Sequence, residues 1–296
     1  MNKILLVGRS GQLGQALESV LRDLFEVVAL DSSQVDLTDE MSIRQSIRKT
    51  APNILVNAAA YTAVDQAEAE RSKAFAINAE APRIMSQEML HIGGFLLHYS
   101  TDFVFDGEKH TPYLEDDAPG PLNVYGASKL EGDNAIRQSG VPHMILRTSW
   151  VYGRRGTNFP KTIAKYLIEK KVVRVVADQI GTPTWSRDIA STTARVLLQA
   201  CPDKARLSEA LSGIYNYTAS GSASWFDVAE KVAFKLRRAG QKVAELYPVS
   251  AAEFGAKAKR PAYSVLDCRK IQQIFEVDSP PWHASFDECF RDIGYL

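Results

Sequence analysis

The loop after the first apolar segment restricts the fold of this chain more than any other feature. Residues 8–14 read GRSGQLG and lie between a short apolar run, Ile4–Val7, and a stretch with helical periodicity, Gly11–Leu24. Glycines reach positive φ and let backbone N–H groups approach a diphosphate, and the positive end of the following helix faces the same charge. The order of strand, glycine loop and helix predicts the first unit of a dinucleotide-binding fold.

Short apolar runs alternate with helical periodicity through the rest of the first half. They lie at Glu26–Leu30, Ile54–Asn57, Phe95–Tyr99 and Met144–Leu146, and Val172–Val176 is a candidate sixth strand. Apolar strands that alternate with helices are typical of a parallel sheet buried on both faces. We therefore predict an α/β fold with a doubly wound, mostly parallel sheet of the Rossmann type.

The C-terminal third contains few strand signals. Ser224 and Asp227 have the spacing of a capping box, and Gly240 is placed to end the helix that this box opens. We therefore predict a smaller, mainly helical C-terminal substrate lobe beside the dinucleotide-binding domain. The domain is expected at residues 1–155, completed by about residues 180–220, and the lobe at residues 156–179 and 221–296.

Charge balance and hydropathy exclude several classes of protein. The chain has 35 basic and 35 acidic residues and no formal net charge, whereas a general nucleic-acid binder carries a basic excess. No apolar run reaches the roughly 18 residues that a membrane span needs. We expect neither a nucleic acid nor a membrane among the partners of this protein.

Cysteine and histidine usage bears on the compartment and on metals. Cys201, Cys268 and Cys289 are far apart and form no CxxC pair. Free thiols suit a reducing compartment, so we expect a cytoplasmic protein. The five histidines show no spacing typical of metal ligands, and we expect no metal at the catalytic centre.

Two residues near the first loop affect cofactor choice in opposite directions. Asp31 closes the second strand about 20 residues beyond Gly11, where a carboxylate binds the ribose hydroxyls of NAD. Arg9 lies in the loop itself, where an arginine pairs with the 2′-phosphate of NADP. The sequence therefore leaves NADH and NADPH both open as cofactors.

Small residues mark a second loop with a predicted cofactor contact. The third strand ends in Asn57 and is followed by Ala58, Ala59 and Ala60. Small side chains at the end of a strand let a flat cofactor lie against the backbone, although close packing of a helix on the strand requires them equally. Together with the first loop, they favour a cofactor contact here.

A tyrosine and a lysine four residues apart form the candidate catalytic pair. On a helix, Tyr125 and Lys129 share one face. An ordinary tyrosine has a pKa of about 10, and a neighbouring ammonium group lowers that pKa by favouring the phenolate. Thr101 follows the fourth strand, where its hydroxyl is able to hold the oxygen of a reacting carbonyl. The spacing therefore indicates a proton relay at Tyr125 whose pKa is lowered by Lys129.

These segments resemble the extended short-chain dehydrogenase/reductases and, more narrowly, the dTDP-4-dehydrorhamnose reductase family. The motifs that carry the narrower resemblance are spread over almost the whole chain. They are Val56–Glu68, Tyr99–Phe105, Pro121–Gly126, Arg147–Tyr152, Asp178–Thr184 and Arg260–Ser264.

The resemblance implies reduction of the 4-keto group of dTDP-4-dehydro-6-deoxy-L-mannose by NAD(P)H to give dTDP-L-rhamnose. It implies a dTDP-sugar as partner, catalysis by Thr101, Tyr125 and Lys129, and substrate contacts from Thr101, Asp102 and Trp150. The cofactor contacts expected from the resemblance and from the two loops are Gly8, Gly11, Gln12, Leu13, Gly14, Asp31, Asp36, Leu37, Ala58, Ala59, Ala60, Tyr61, Thr62, Tyr99, Tyr125 and Lys129.

The chain departs from this family at a metal site. Some members bind Mg²⁺ between two subunits through glutamates, one just after the glycine loop and one just after the GxPT motif. Here Gly14 is followed by Gln15, and Arg187 stands after the GTPT motif. Because an arginine repels a divalent cation, the sequence places Mg²⁺ and a metal-bridged dimer in doubt, and a monomer and a homodimer both stay open.

Two other functions use the same scaffold. A nucleotide-sugar epimerase or dehydratase would retain NAD, and dehydratases carry an acidic residue beside the threonine of the fourth strand, a place that Asp102 occupies. The chain also resembles a regulatory subunit of methionine adenosyltransferase, in which the fold is a binding module. The intact Thr101, Tyr125 and Lys129 favour an enzyme.

Overall fold

A six-stranded sheet forms the centre of the protein. Along residues 2–200 and 211–292, which the computed structural model describes, the strands are β1 (Lys3–Val7), β2 (Glu26–Leu30), β3 (Ile54–Asn57), β4 (Phe95–Thr101), β5 (His143–Thr148), β6 (Val151–Tyr152), β7 (Val172–Val176), β8 (Ile180–Gly181), β9 (Thr184–Trp185), β10 (Gly213–Asn216), β11 (Ala223–Ser224) and β12 (Glu245–Val249). The central sheet has the order β10-β5-β4-β3-β1-β2, and each pair of neighbouring strands in it is parallel.

This strand order places a crevice at one edge of the sheet. The chain runs outward from β1 to β2 on one side and to β3, β4 and β5 on the other. Loops that leave β1 and β3 at their carboxyl ends therefore diverge, and ligands of doubly wound sheets bind between them. The predicted doubly wound parallel fold is confirmed.

Helices connect the strands and build the rest of the molecule. They are α1 (Gln12–Leu21), α2 (Glu40–Thr50), α3 (Val64–Ala67), α4 (Arg71–Phe75), α5 (Ala81–His91), α6 (Val124–Ser139), α7 (Phe159–Glu169), α8 (Ser186–Ala200), α9 (Trp225–Arg238), α10 (Ala251–Phe254), α11 (Arg269–Phe275) and α12 (Trp282–Asp292), with a π-helical turn at Ala76–Glu80 between α4 and α5. None of the helices among the described residues is long and apolar enough to cross a membrane.

Both faces of the sheet are covered by apolar side chains. Along β1, Ile4 and Leu6 belong to a cluster with α1 and α8, whereas Leu5 and Val7 belong to a cluster with α2 and α5. Successive side chains of a strand point to opposite faces, so each residue of this strand enters one core or the other. That double burial explains why these strands are continuously apolar.

A second core lies outside the sheet. Helices α7, α9 and α12 meet in it, with Leu167, Val232 and Phe286 fully or almost fully buried. The capping box that the sequence predicted at Ser224 opens α9, with Asp227 as its reciprocal partner. Residues of α11, by contrast, pack against the sheet.

One predicted strand belongs to a different sheet. The predicted strand Val172–Val176 is confirmed as β7, but it pairs with β12 and lies outside the central sheet. The sixth strand is Gly213–Asn216, which pairs with β5. Only four residues long and begun by a glycine, this segment gives little strand signal, and its partner alone identifies it.

The cysteine prediction is met where the structure describes it. Cys268 and Cys289 are buried and form no disulfide among the described residues, and Cys201 lies outside the described residues.

Candidate active site

The first loop is held by close backbone contacts at its glycines. Gly8 has φ of +96°, and its N–H donates to the carbonyl of Leu30 at 3.0 Å. A Cβ atom on Gly14 would lie 2.0 Å from the carbonyl oxygen of Gly8. The loop therefore turns tightly over β2 and brings α1 directly beneath it, which is the geometry needed to bind a diphosphate.

A cleft of about 660 Å³ runs along the carboxyl edge of the sheet from this loop to the catalytic pair. Fourteen of the sixteen expected cofactor residues line it, namely Gly8, Gly11, Gln12, Leu13, Asp31, Asp36, Leu37, Ala58, Ala59, Ala60, Thr62, Tyr99, Tyr125 and Lys129. The two others, Gly14 and Tyr61, are not in its lining. Gly14 has no side chain, which lets α1 approach the backbone of Gly8. The backbone N–H of Tyr61 donates to the side chain of Asn78.

Sequence reasoning missed other residues that line the cleft. Ser32 and Thr38 follow predicted contacts directly, so their neighbours in the sequence could have identified them. Lys73 and Thr148 also line the cleft, but they come from α4 and from the end of β5. No local motif marks these two, because the fold alone brings them to the site.

The carboxylate of Asp31 is ionised and held in place at the end of β2. It accepts hydrogen bonds from the N–H and the hydroxyl of Ser33, at 3.0 and 2.6 Å, and these bonds lower the pKa of Asp31. Arg9 makes an ion pair with Glu18 at 3.1 Å. The carboxylate is thus ready for ribose hydroxyls, whereas the arginine expected to bind a 2′-phosphate is engaged with a neighbour.

The geometry of α6 places Tyr125 at the far end of the cleft. The side chain of Asn123 caps the helix by accepting from Gly126 N–H at 2.8 Å, and Tyr125 lies in the first turn with its ring edge against Phe103. Burial raises the pKa of Tyr125 to about 12, against a hydrogen bond with Thr101 that lowers it. The phenol is therefore protonated at neutral pH.

Lys129 lies one turn further along α6 and is buried. Its Nζ donates to the carbonyl of Tyr99 at 2.6 Å and lies 2.9 Å from Nε2 of His98. Burial lowers the pKa of Lys129 to about 8, while the carboxylate of Asp133 opposes this effect. The lysine therefore changes charge near physiological pH.

The expected effect of Lys129 on Tyr125 is wrong for this arrangement. The sequence predicted that the ammonium lowers the pKa of the phenol, yet that pKa is raised. Burial dominates, and the carboxylates of Asp102 and Asp133 raise it further. The Nζ atom of Lys129 donates to the carbonyl of Tyr99, a contact that sequence spacing does not reveal.

Thr101 and Asp102 lie beside Tyr125, beyond the cleft that the cofactor residues line. The hydroxyl of Thr101 donates to Oδ1 of Asp102 at 3.1 Å, and both residues are buried. Burial raises the pKa of Asp102 to about 7, against a hydrogen bond from Ser264. A hydroxyl and a readily protonated carboxyl group thus adjoin the phenol.

Trp150 belongs to the second core and does not line the cleft. It has φ of 45°, an uncommon conformation outside glycine, and its ring stacks on Trp225 with centroids 3.5 Å apart. A Cβ atom on Gly181 would lie 2.5 Å from the Trp150 ring. The tryptophan is therefore fixed between α9 and β8, and its expected contact with substrate stays a prediction.

The basic segment near residue 260 is tied to the active-site side of the molecule. Arg260 makes an ion pair with Asp65 at 2.7 Å, and the same carboxylate accepts from Ala258 N–H. The carbonyl of Lys259 accepts from the side chain of Asn123, the cap of α6. This segment thus braces the helix that carries the catalytic pair.

Where Mg²⁺ was placed in doubt, the structure gives it no support. Among residues 2–200 and 211–292, histidine, cysteine, aspartate and glutamate side chains form no group of three or more that is able to hold a metal ion. Glu18, the first glutamate after the glycine loop, pairs with Arg9 and Arg22.

Fold and site together define a class of protein. A Rossmann sheet carries a glycine loop that packs closely on its neighbour, because a Cβ atom on Gly8 would lie 2.6 Å from the backbone nitrogen of Ala59. Beside the loop is a cleft with room for a dinucleotide, and a Tyr–Lys pair lies at the end of the cleft. These residues fit NAD(P), with Asp31 at the ribose end and Lys129 at the nicotinamide end. The class is that of the short-chain dehydrogenase/reductases.

Comparison with known proteins narrows this class. A family model described as the RmlD substrate binding domain matches residues 1–294. Two relatives named dTDP-4-dehydrorhamnose reductase are those of Aggregatibacter actinomycetemcomitans, 41% identical over 95% of this chain and 96% of its own length, and of Burkholderia thailandensis, 37% identical over 98% and 99%. The chain belongs to the dTDP-4-dehydrorhamnose reductase family.

Solved structures agree with this assignment. The structure of dTDP-4-dehydrorhamnose reductase from Bacillus anthracis in complex with NADP has a TM-score of 0.89 and 34% identity, and the match covers 98% of this chain and 99% of that one. UDP-glucose 4-epimerase from Thermus thermophilus, solved with NAD, has a TM-score of 0.78 at 20% identity over 98% and 99% of the two chains, which shows a shared fold.

Proposed function

We propose that this protein is an NAD(P)H-dependent oxidoreductase that reduces the 4-keto group of dTDP-4-dehydrorhamnose to give dTDP-L-rhamnose. The observation that carries the proposal is the protonated phenol of Tyr125, which lies between a dinucleotide cleft on one side and the hydroxyl of Thr101 on the other. Relatives that span almost the whole chain bear the name of this activity.

The residues of the site have distinct tasks in this reaction. When NAD(P)H is bound, it supplies the hydride that reduces the carbonyl carbon. The hydroxyl of Thr101 holds the carbonyl oxygen, and Tyr125 donates its proton to the same oxygen. Lys129 contacts the nicotinamide end of the cofactor and returns a proton to Tyr125.

A phenol of raised pKa suits a proton donor. Because the pKa of Tyr125 is about 12, the group keeps its proton throughout the neutral range. The oxygen of a reduced ketone is more basic than a phenolate, so the proton moves downhill once the hydride has been transferred. Tyr125 then regains its proton through Lys129, whose pKa of about 8 lies nearer to neutral pH.

Either reduced cofactor fits the cleft, and we propose use of both. The ionised Asp31 favours the free ribose hydroxyls of NADH, whereas the structure of the Bacillus anthracis relative was solved in complex with NADP. Ser32, which is exposed and follows Asp31 in the chain, offers a hydroxyl group to a 2′-phosphate, and Thr38, whose hydroxyl donates to Asp36 at 2.7 Å, lines the same cleft.

We assign the dTDP-sugar to the space between the sheet edge and the second core. That assignment keeps residues 156–179 and 221–296 as the substrate lobe, apart from α11, which packs on the sheet. Trp150 and Asp102 are the residues that we expect to contact the sugar there. We propose a location in the cytoplasm. The oligomeric state in this proposal is either a monomer or a homodimer.

One observation favours a second candidate function. Asp102, a buried acid with a pKa of about 7 beside Thr101, has the character of the acid that a nucleotide-sugar dehydratase needs. Such an enzyme returns its hydride to the substrate and so retains NAD⁺ through purification.

An assay with the authentic 4-keto sugar decides between these functions. Purified protein should oxidise NADPH or NADH in step with formation of dTDP-L-rhamnose, and should carry little bound nucleotide. Failure to oxidise either cofactor, together with tightly bound NAD⁺ in the purified protein, would reject the reductase in favour of the dehydratase or epimerase.

A further inference from the structure

A chain of buried polar groups lies directly beneath the catalytic lysine. His98 and Asn57 are at most 1% exposed, as is Lys129. Nζ of Lys129 lies 2.9 Å from Nε2 of His98, and Nδ1 of the same ring lies 3.0 Å from Nδ2 of Asn57. The amide of Asn57 is in turn bonded to the backbone N–H of Ala59, a residue that lines the cofactor cleft.

The backbone sets the direction of this chain. An N–H group donates only, so the atom of Asn57 that faces Ala59, at 3.2 Å, is the oxygen Oδ1. The other atom of the amide, the Nδ2 group, therefore faces His98 and donates to its Nδ1. Nδ1 then carries no proton.

The proton of a neutral His98 must consequently lie on Nε2. Burial of the ring lowers the pKa of His98 well below its ordinary value, so the ring is neutral. Its Nε2–H points at Nζ of Lys129, and a lysine accepts a hydrogen bond only as a neutral amine. The amine keeps a donor for the carbonyl of Tyr99.

An ammonium at Lys129 requires the opposite direction. Nε2 would accept, Nδ1 would carry the proton, and Asn57 would have to turn its oxygen toward the ring. The N–H of Ala59 would then lose its partner in a partly buried position. The structure therefore couples the charge of the lysine to an N–H group in the lining of the cofactor cleft.

Charged groups around His98 leave this logic intact. The nearest carboxylate, Asp133, lies 3.9 Å from Nε2, too far for a hydrogen bond. It accepts from Ser100 at 2.7 Å and lies 3.8 Å from Nε of Arg147. The negative charge of Asp133 favours the ammonium form of Lys129, and the chain through His98 opposes it.

We propose that His98 and Asn57 are positioning residues that present a ring N–H to Lys129 and so favour the neutral amine form of the catalytic lysine. The inference rests on the proposed function only in naming Lys129 catalytic. An amine at this place is able to take up a proton from solvent and return it to Tyr125 between turnovers, which a permanently charged lysine does not do.

Nitrogen NMR of the full-length protein with ¹⁵N-labelled histidine tests the tautomer directly. At about pH 8, His98 should show the Nε2–H tautomer, and loss of its signals in His98→Gln identifies them. His143 is an internal control, since its Nδ1 lies 2.8 Å from the carbonyl of Val141 and must donate. An Nδ1–H tautomer at His98 would overturn the proposal.

The isosteric variant Asn57→Asp reverses the direction of the chain. One carboxylate oxygen still accepts from Ala59, and the other accepts from Nδ1 of His98, so Nε2 becomes an acceptor for the ammonium. The midpoint of Lys129, followed through ¹³C-labelled lysine, should rise by about one pH unit or more, and the tautomer should change. The variant His143→Gln should leave both unchanged.

An unchanged midpoint in a folded Asn57→Asp protein would refute the coupling, and if that variant does not fold, the tautomer in the unsubstituted protein decides alone. Neither measurement uses the sugar or turnover. A protein without reductase activity would thus contradict the proposed function and leave the hydrogen bonds among Asn57, His98 and Lys129 unaffected. An active reductase in which His98 carries its proton on Nδ1 would contradict only the proposed hydrogen bonds.

Discussion

The cofactor cleft and the second core are built in different ways. Along the cleft, polar atoms stand at the ends of parallel strands whose register fixes their spacing, as with Asn57 opposite His98. At the second core, by contrast, Trp150 stacks on Trp225, and the two residues come from separate parts of the chain. Local patterns in the sequence mark most residues of the cleft, whereas no local pattern marks the stack of tryptophans.

This difference predicts that substitutions at the sheet edge change kcat and cofactor affinity. Substitutions in the second core should instead change the free energy of unfolding and the KM for the sugar.

The largest effect is expected for Tyr125→Phe, which removes the proton donor and keeps the ring packed on Phe103. We expect kcat to fall by about 10³-fold. Fluorescence titration should show the affinity for NADPH within about twofold of the original. A variant that kept most of its activity would exclude Tyr125 as the donor.

The next effect is expected at the glycine loop. In Gly14→Ala the new Cβ would lie 2.0 Å from the carbonyl oxygen of Gly8, so loop and helix must separate. We expect unfolding free energy to fall by about 2–3 kcal/mol and NADPH binding to weaken about 100-fold. Gly11→Ala is the matched control for stability, because its Cβ meets that oxygen at 3.3 Å and its φ is −70°. Equal stability of the two variants would contradict the packing argument.

A smaller effect, of a different kind, is expected in the second core. Trp225→Ala removes the ring that stacks on Trp150 and contacts Phe159. Because Trp225 is partly buried, we expect a loss of about 2–3 kcal/mol in unfolding free energy. The KM for the sugar should rise as Trp150 loses its support, with little change in NADPH affinity. If cofactor binding weakened as much as sugar binding, the two regions would not be separate in function.

The smallest effect is expected for cofactor choice. Asp31→Asn removes the negative charge that Ser33 holds at the end of β2. We expect the ratio of kcat/KM for NADPH to that for NADH to rise about tenfold, since a 2′-phosphate no longer meets a carboxylate. An unchanged ratio would place the discriminating contact elsewhere, with Ser32 and Thr38 as the candidates.

The sequence predicted the sheet and the lining of the cleft well, because both depend on local patterns. Five strands of the central sheet were identified from apolar runs, and several residues that line the cleft, such as Gly8, Asp31 and Ala58, come directly after them. The sequence analysis missed β10, which has a weak pattern. It identified β7, but the pattern does not reveal that its partner is β12. Lys73 and Thr148 reach the cleft from elements without a motif.

By itself, the sequence determined which chemical groups are present and in what order the strands and loops follow. Only the tertiary structure decided the charge of those groups. A pKa depends on how much water is removed from a side chain and on which atoms from distant segments face it. Burial therefore raises the pKa of Tyr125, and the Nζ atom of Lys129 contacts the carbonyl of Tyr99 and the ring of His98.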